Sequence, residues 1–289
     1  MTGWFAEASE SLVVLSWNVQ NYTLADRYLY ERYQRDYPKP EAEKEALRKT
    51  LKDLNPDIVL LQEIGGDDFL NELVIDLRDH EALDYPYHAS LASNDEERRL
   101  GLLSKIPFEW VNNGLSEKTF TYLGNPIPLK RGLLEIRVTL DGRELTLMEM
   151  HLKSRITTEE EDPDSGIRRE KEARLIRDYI RELLEREPVK AIILMGDLND
   201  HPRSSAYRRI TQVADQKLLC ELPVQDDRGD MWTYFYRQER RYEQIDYAFV
   251  SPDLLNPDKW HLDASIMGGE SVRLASDHRP ILMTIKTFP

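Results

Sequence analysis

The chain has 289 residues, 40% apolar and 32% charged, with 39 Lys plus Arg against 53 Asp plus Glu, a formal charge of −14 at pH 7. That length buries a sizeable core and suits one large layered domain or two ordinary ones. The acidity excludes a protein built to coat duplex nucleic acid, because neutralising phosphates supplies much of such affinity. A nuclease survives this exclusion, since a bound divalent cation reverses the sign locally.

Met1 to Ser11 is polar and acidic, so no signal peptide is expected and a cytoplasmic location is the default. No apolar run reaches the length of a membrane span, and the single cysteine, Cys220, allows no intrachain disulfide.

In chain order, Leu12 to Trp17 is apolar nearly throughout and reads as a central strand ending at Asn18-Val-Gln-Asn21. Tyr22 to Pro40 interleaves tyrosines with Arg27, Arg32 and Arg35. It reads as an irregular surface insertion, or as a platform for bases and phosphates. Glu41 to Leu54 has the spacing of an amphipathic helix, with Ala46, Leu47, Leu51 and Leu54 on one face, and Asn55-Pro56-Asp57 breaks it.

Ile58 to Leu61 is a second buried strand with Glu63 just beyond it, a hard oxygen donor of the kind Mg²⁺ or Mn²⁺ prefers. Gly65-Gly66 turns the chain into a surface helix over Asp67 to His80. Strands are expected at Leu100 to Ser104, Leu133 to Leu140 and Glu144 to Met150, the last ending in His151-Leu-Lys153. Arg131 and Lys153 could each meet a phosphate or simply face solvent. Glu159 to Asp164 reads as a solvated acidic loop, and Ile167 to Arg186 as the longest helix, turning Ala173, Ile176, Ile180 and Leu184 to the core.

Ala191 to Met195 is a short apolar strand, and Gly196-Asp197-Leu198-Asn199-Asp200 follows it. Polar groups at the carboxyl end of a buried strand sit on a rigid base facing solvent, which suits catalysis as well as an ordinary Asx turn. Met231 to Tyr236 and Gln244 to Val250 read as a paired hairpin. Asp246 lies inside the second of these strands, where a carboxylate needs a partner. Ser276-Asp277-His278 precedes a last strand, Ile281 to Ile285; an Asp-His pair can act as base or proton relay. There is no repeat, linker or compositional break, so residues 1–289 are expected to form one domain with an insertion at about 22–40.

Each of these signals is weak alone. Together, Asn18, Glu63, His151, Asp197 with Asn199, and Asp277 with His278 follow strands in five separate segments. The stretches Ser16-Trp-Asn-Val-Gln-Asn21, Asp57-Ile-Val-Leu-Leu-Gln-Glu63, Met150-His-Leu-Lys-Ser154, Met195-Gly-Asp-Leu-Asn-Asp-His-Pro202, Ile245-Asp-Tyr247 and Ser276-Asp-His278 occur in the order found in the endonuclease/exonuclease/phosphatase superfamily, the DNase I-like proteins. The sequence resembles that family from residue 16 to residue 278.

The resemblance implies an α+β fold, a four-layer α/β/β/α sandwich of two mixed sheets with helices outside, and a site at one end of the sheets. It also implies hydrolysis of phosphate esters with Mg²⁺ or Mn²⁺, the partner being nucleic acid or a small phosphodiester. By motif, Glu63 corresponds to the principal metal ligand, with Asn18 nearby and Asp277 as a second metal-facing carboxylate. Asp197 corresponds to the group that positions or deprotonates water, and Asn199 to the amide on the scissile phosphate. His278 would act in proton transfer, oriented by Asp246, and His151 would lie toward the leaving group. Arg131 sits where a phosphate-contacting arginine occurs in the nuclease branch. Two features depart from the pattern: Gln20 stands where some members carry an acid, and the 22–40 insertion has no assigned counterpart. A phosphomonoesterase, a lipid phosphodiesterase and an inactive binding protein on the same fold are the competing readings.

Overall fold

A computed structural model of the chain describes residues 11–29, 31–186 and 191–288. The polar N-terminus up to Glu10, and Tyr30 of the insertion, lie outside the described residues. Twelve strands form two six-stranded sheets. The first contains β1 (Ser11–Tyr22), β2 (Ile58–Ile64), β3 (Tyr87–Ser90) and β4 (Arg99–Ser104). The second is built from β5 (Glu109–Trp110), β6 (Leu134–Leu140), β7 (Arg143–His151), β8 (Ile192–Asp197), β9 (Cys220–Glu221) and β10 (Asp246–Val250). The chain then returns to the first sheet with β11 (Trp260–Ile266) and β12 (Ile281–Thr287). The spatial orders are β11-β12-β1-β2-β4-β3 and β9-β10-β8-β7-β6-β5.

One pair in each sheet is parallel, β1 with β2 and β7 with β8. A parallel pair needs a crossover, and α1 (Glu41–Leu54) and α3 (Gly166–Arg186) provide the two crossovers on the outer faces. Alternation along the strands then defines four layers. Leu12, Val14, Ile58 and Leu60 of the first sheet meet Leu145, Leu147, Ile193 and Met195 of the second in the central core. Outward residues of the first sheet, such as Leu15, Trp17 and Leu61, pack on Leu47 and Leu51 of α1, on Leu73 and Leu77 of α2 (Asp67–Glu81), and on Val272 of α5 (Glu270–Ala275). Outward residues of the second sheet, Met148, Met150 and Leu194 among them, pack on Ala173, Ile176 and Ile180 of α3 and on Ile210 of α4 (Ser205–Thr211). The expected four-layer α+β sandwich is the fold found. Among the described residues no helix is long and apolar enough to cross a membrane.

Three local expectations are corrected. Met231–Tyr236 does not pair with Gln244–Val250. Instead Tyr234–Tyr236 pairs with Arg241–Glu243, and β10 lies between β9 and β8 in the second sheet. All five residues of β10 are buried, whereas Tyr234–Tyr236 is half-buried, so the more apolar segment takes the central place. The Tyr22–Pro40 insertion is not irregular: Ala25–Leu29 and Arg32–Tyr37 form an antiparallel hairpin, and Tyr22 itself is fully buried in β1. The acidic loop is not wholly solvated either. Asp162 is buried, and its carboxylate accepts the N–H groups of Ile167 (3.0 Å) and Arg168 (3.1 Å) in the first turn of α3.

The close approach of β8 to β7 depends on Gly196. Its φ is +130°, and a Cβ there would lie 2.1 Å from the carbonyl oxygen of Met150. Gly196→Ala therefore forces the central strands apart and strains the backbone at once. We expect it to lose roughly 3–5 kcal/mol in urea unfolding. A variant within about 1 kcal/mol of wild type would show that this packing is slack.

Candidate active site

The two-residue alternation that builds the central core also delivers the site. Going up β1, the inward positions run Leu12, Val14, Ser16, Asn18; along β7 they run Leu145, Leu147, Glu149, His151; along β8, Ile193, Met195, Asp197. β10 runs the other way, from Asp246 down to Val250. Apolar residues fill the middle of the sandwich and polar residues its end. Between them lies a buried polar layer, in which Gln62 Nε2 donates to Ser16 Oγ (3.0 Å) and, across the sheets, to Glu149 Oε1 (2.6 Å). Burial pushes the Glu149 carboxyl well above the usual carboxylate range, and the Gln62 hydrogen bond offsets this only in part.

Asp197 is the centre of the upper layer. Strand register puts His151 beside it on one flank and Asp246 on the other. Its Oδ1 accepts the backbone N–H of Asn199 at 2.7 Å. Its Oδ2 accepts from Asn18 Nδ2 and Asn199 Nδ2, both at 3.1 Å, and lies 3.4 Å from His151 Nε2 and 3.9 Å from His278 Nε2. Burial and the facing Asp246 raise its affinity for a proton, which His278 partly offsets.

His278 is the partner of Asp246, its Nδ1 lying 2.9 Å from Asp246 Oδ2. A carboxylate at Nδ1 requires that nitrogen to carry the proton, which directs Nε2 toward Asp197. Burial disfavours the imidazolium, but Asp246, Asp197 and Asp277 together outweigh it and push the group above the ordinary histidine range. His151 goes the other way: burial and the nearby Arg131 guanidinium hold it neutral.

Neighbouring chain fixes this pair. Thr233 Oγ1 accepts the N–H groups of Ile245 (3.1 Å) and Asp246 (3.0 Å), and Tyr234 lays its ring 4.7 Å from the His278 imidazole. Ser276 Oγ donates to Asn18 O (2.7 Å) and accepts His278 N–H (3.1 Å), while Trp17 Nε1 donates to His278 O (3.0 Å). The Ser-Asp-His loop is thereby tied to β1. Thr233 and Tyr234 escaped the sequence reading. Their only signal was a threonine within an aromatic run.

Glu63 and Asp277 form the other half. Glu63 Oε2 accepts Asn21 N–H at 2.8 Å, and Glu63 Oε1 lies 3.9 Å from His151 Nε2. Burial and the charge of Glu63 raise the Asp277 carboxyl. Asp197, Asp246 and His278 also offer ligand atoms within 4.8 Å of one another. Asp197, however, already accepts from Asn18 and Asn199, and Asp246 is paired with His278 Nδ1. Glu63 and Asp277 are two carboxylates that repel, with the Asn18 amide oxygen, which accepts Gln20 N–H at 3.0 Å, supplied from the adjacent strand β1. This all-oxygen set suits a hard divalent cation better than the histidine-containing cluster does.

Asn18, Glu63, His151, Asp197, Asn199, Asp246, Asp277 and His278 thus lie at one end of the sandwich. Arg131 and Lys153 are near it but engaged elsewhere. Arg131 is buried, giving Nε to Asp95 (3.2 Å) and Nη1 to Leu152 O (2.8 Å). Lys153 Nζ turns back on its own loop, to Ser154 and Ile156 O, and burial lowers it to about 8. Asp200, beside the site residues in sequence, pairs with Arg169 Nε at 3.0 Å and holds α3 to the loop after β8.

No curated protein matches the sequence significantly. Among solved structures, truncated Caenorhabditis elegans TDP2 is similar with a TM-score of 0.63 and 18% identity, over 96% of this chain and 98% of that one. A conserved protein of unknown function from Enterococcus faecalis V583 has a TM-score of 0.61 and 18% identity, over 96% and 100% of the two chains. An endonuclease/exonuclease/phosphatase family protein from Bacteroides thetaiotaomicron gives 0.61 and 18%, covering 96% of each. At such identities these likenesses establish the fold alone. The sequence itself matches the Endonuclease/Exonuclease/phosphatase family over residues 15–278, and the chain belongs to that family.

Proposed function

We propose that this protein is a Mg²⁺- or Mn²⁺-dependent phosphodiesterase that cleaves nucleic acid with little sequence preference. The observation that carries this reading is the Asp246–His278 pair (2.9 Å), whose imidazole Nε2 lies 3.9 Å from Asp197, beside the two repelling carboxylates Glu63 and Asp277. Glu63 and Asp277, near the Asn18 amide, would hold a divalent cation, which would supply positive charge for the nonbridging oxygens of the phosphate.

The protein's own groups divide the remaining work. Asn199 Nδ2, which donates to Asp197 Oδ2 and Leu152 O at 3.1 Å each, holds the Asp197 carboxylate and would turn one N–H to the phosphate when substrate enters. Asp197, with its raised proton affinity, aligns the attacking water and accepts its proton. His278 is held as an imidazolium by Asp246, so it serves as a proton donor and charge stabiliser rather than as the base. His151, kept neutral, adds no charge where the leaving oxygen departs.

The substrate class rests on charge and on one comparison. A chain of net charge −14 attracts phosphates near its cation and repels long polyanions elsewhere. TDP2 of D. rerio has been solved complexed with single strand DNA product, which makes a short single-stranded oligonucleotide the first substrate to try.

Two outcomes are expected. Excess chelator abolishes hydrolysis while leaving the melting transition in place, and kcat/KM for a short oligonucleotide equals or exceeds that for plasmid DNA per diester bond. Faster turnover of an aryl phosphomonoester or of sphingomyelin would place the protein in another branch of the family. Asp246→Asn keeps the shape of the side chain but loses the charge that orients His278. It should lower kcat about a thousandfold or more with little change in melting. Full activity of that variant would separate Asp246 from the chemistry.

A further inference from the structure

The backbone around Glu63 is held in an uncommon conformation. Gln20, Asn21 and Glu63 all have positive φ, at 49°, 52° and 65°. None is glycine, and each such residue costs about 1–2 kcal/mol. They sit in two facing irregularities, where the β1–β2 register shifts between Asn18 and Tyr22 and the β2–β4 register shifts between Gln62 and Ile64. The consequence of the first is functional: it turns the Asn21 N–H onto Glu63 Oε2 at 2.8 Å.

Three cations converge on this bulge. Arg27 Nη2 donates to Asn21 O at 2.5 Å and to Thr23 O at 3.3 Å, and its Nε donates to Tyr37 O at 3.1 Å. Lys39, whose side chain is 0% exposed, donates to Gln20 O at 3.1 Å and pairs with Glu43 at 3.0 Å. Arg98 Nε donates to the Asn21 side-chain oxygen at 2.7 Å. Two of the three, Arg27 and Lys39, belong to the Tyr22–Pro40 segment, which the sequence read as a surface insertion or as a platform for bases and phosphates. A buried ammonium on a backbone carbonyl is a strong, charge-assisted bond in a low dielectric.

We propose that the hairpin of Ala25–Leu29 and Arg32–Tyr37, with Lys39 just past it, is a clamp for the cation site, in which Arg27 and Lys39 are positioning residues that hold the Gln20–Asn21 bulge and thereby aim Glu63. This rests on the metal reading given above. Without the clamp, Gln20 and Asn21 relax toward extended backbone, the Asn21 N–H swings off Glu63, and the carboxylate samples several rotamers. The cation then binds more weakly although no ligand atom has been removed.

The test is direct Mn²⁺ binding, counted by the electron paramagnetic resonance of free Mn²⁺, on the full chain. The variants are Glu63→Gln, Arg27→Met and Lys39→Met, with Arg143→Met as a control. Arg143 also donates to two carbonyls, Lys259 O (2.9 Å) and Phe288 O (2.7 Å), but begins β7 at the end away from His151. Removing groups that orient a ligand weakens metal binding about 10–100-fold. Arg27→Met and Lys39→Met are expected to raise the Mn²⁺ dissociation constant about tenfold or more, and Arg143→Met to leave it unchanged. Affinity within about twofold of wild type in both clamp variants, with Glu63→Gln binding lost, overturns the clamp while sparing the metal site. Unchanged affinity in Glu63→Gln overturns the metal reading and the clamp with it. Should either Met variant fail to fold, Arg27→Lys keeps the charge but reaches one carbonyl at a time. Weakened Mn²⁺ binding in it supports the clamp, and wild-type affinity overturns it.

Discussion

A buried hydrogen bond from Asn18 Nδ2 to Asp197 Oδ2, 3.1 Å long, joins the first sheet to the second at the end of the sandwich. Asn18 is 1% exposed and so is Asp197, so the bond forms in a low dielectric, where its loss would leave a carboxylate short of a partner. The two residues can meet because β1 and β8 both point their carboxyl ends the same way, each next to a parallel neighbour. The parallel pairs bring Gln62 beside Asn18 and His151 beside Asp197. An antiparallel pairing in either place would send one of these residues to the opposite end of its sheet. Chemistry at this end thus follows from strand direction before any side chain is considered.

The second constraint is electrostatic. Glu63, Asp197, Asp246 and Asp277 crowd four carboxylates into one end of the molecule, and burial raises both Asp197 and Asp277. The imidazolium of His278 neutralises the Asp197–Asp246 side, at 3.9 Å and 2.9 Å. Among the described residues no comparable cationic side chain bonds both members of the Glu63–Asp277 side; Arg27 is spent on carbonyls, and Lys39 on a carbonyl and Glu43. A site divided in this way has an internal cation on one half and, on the reading proposed above, room for an added one on the other. The folded protein carries the repulsion because the surrounding core over-determines the geometry.

How much of this was legible in the sequence depended on burial. Strands buried on both faces, such as β2 and β8, wrote themselves as apolar runs, and the second residue past each run was a candidate site residue: Glu63 after Leu61, Asp197 after Met195. Helices with one apolar face were equally plain, and α1 spans Glu41–Leu54 as its spacing implied. Short edge strands were not readable. Glu109–Trp110 and Cys220–Glu221 have two residues each and no pattern to speak of. The partners of long cations were also hidden, because nothing local tells Arg131 that Asp95 lies across from it or turns Lys153 back on its own loop. Thr233 was invisible for the same reason: its hydroxyl matters only because the chain brings Asp246 N–H to it.

The deepest gap was conformational. Left-handed residues at this end include Gln20 and Asn21 after Asn18, Glu63 after Gln62, and Asn199 after Asp197. In each case the strand has just delivered an inward-facing polar residue, and the positive φ breaks the two-residue alternation. A strand that stayed regular would point Gln20 and Asn199 inward again, but a full two-residue step beyond Asn18 and Asp197. The break instead lets consecutive groups converge, so that both the backbone and side-chain N–H groups of Asn199 reach Asp197. Asparagine tolerates this conformation readily, but glutamine and glutamate do not, so Gln20 and Glu63 must be held there by their surroundings. The carbonyl-directed bonds of Lys39 and Arg27 hold the Gln20–Asn21 bulge, and Asn21 N–H in turn holds Glu63. Sequence alternation therefore brings the strands to the site, and departure from alternation, enforced by distant cations, aims the groups within it.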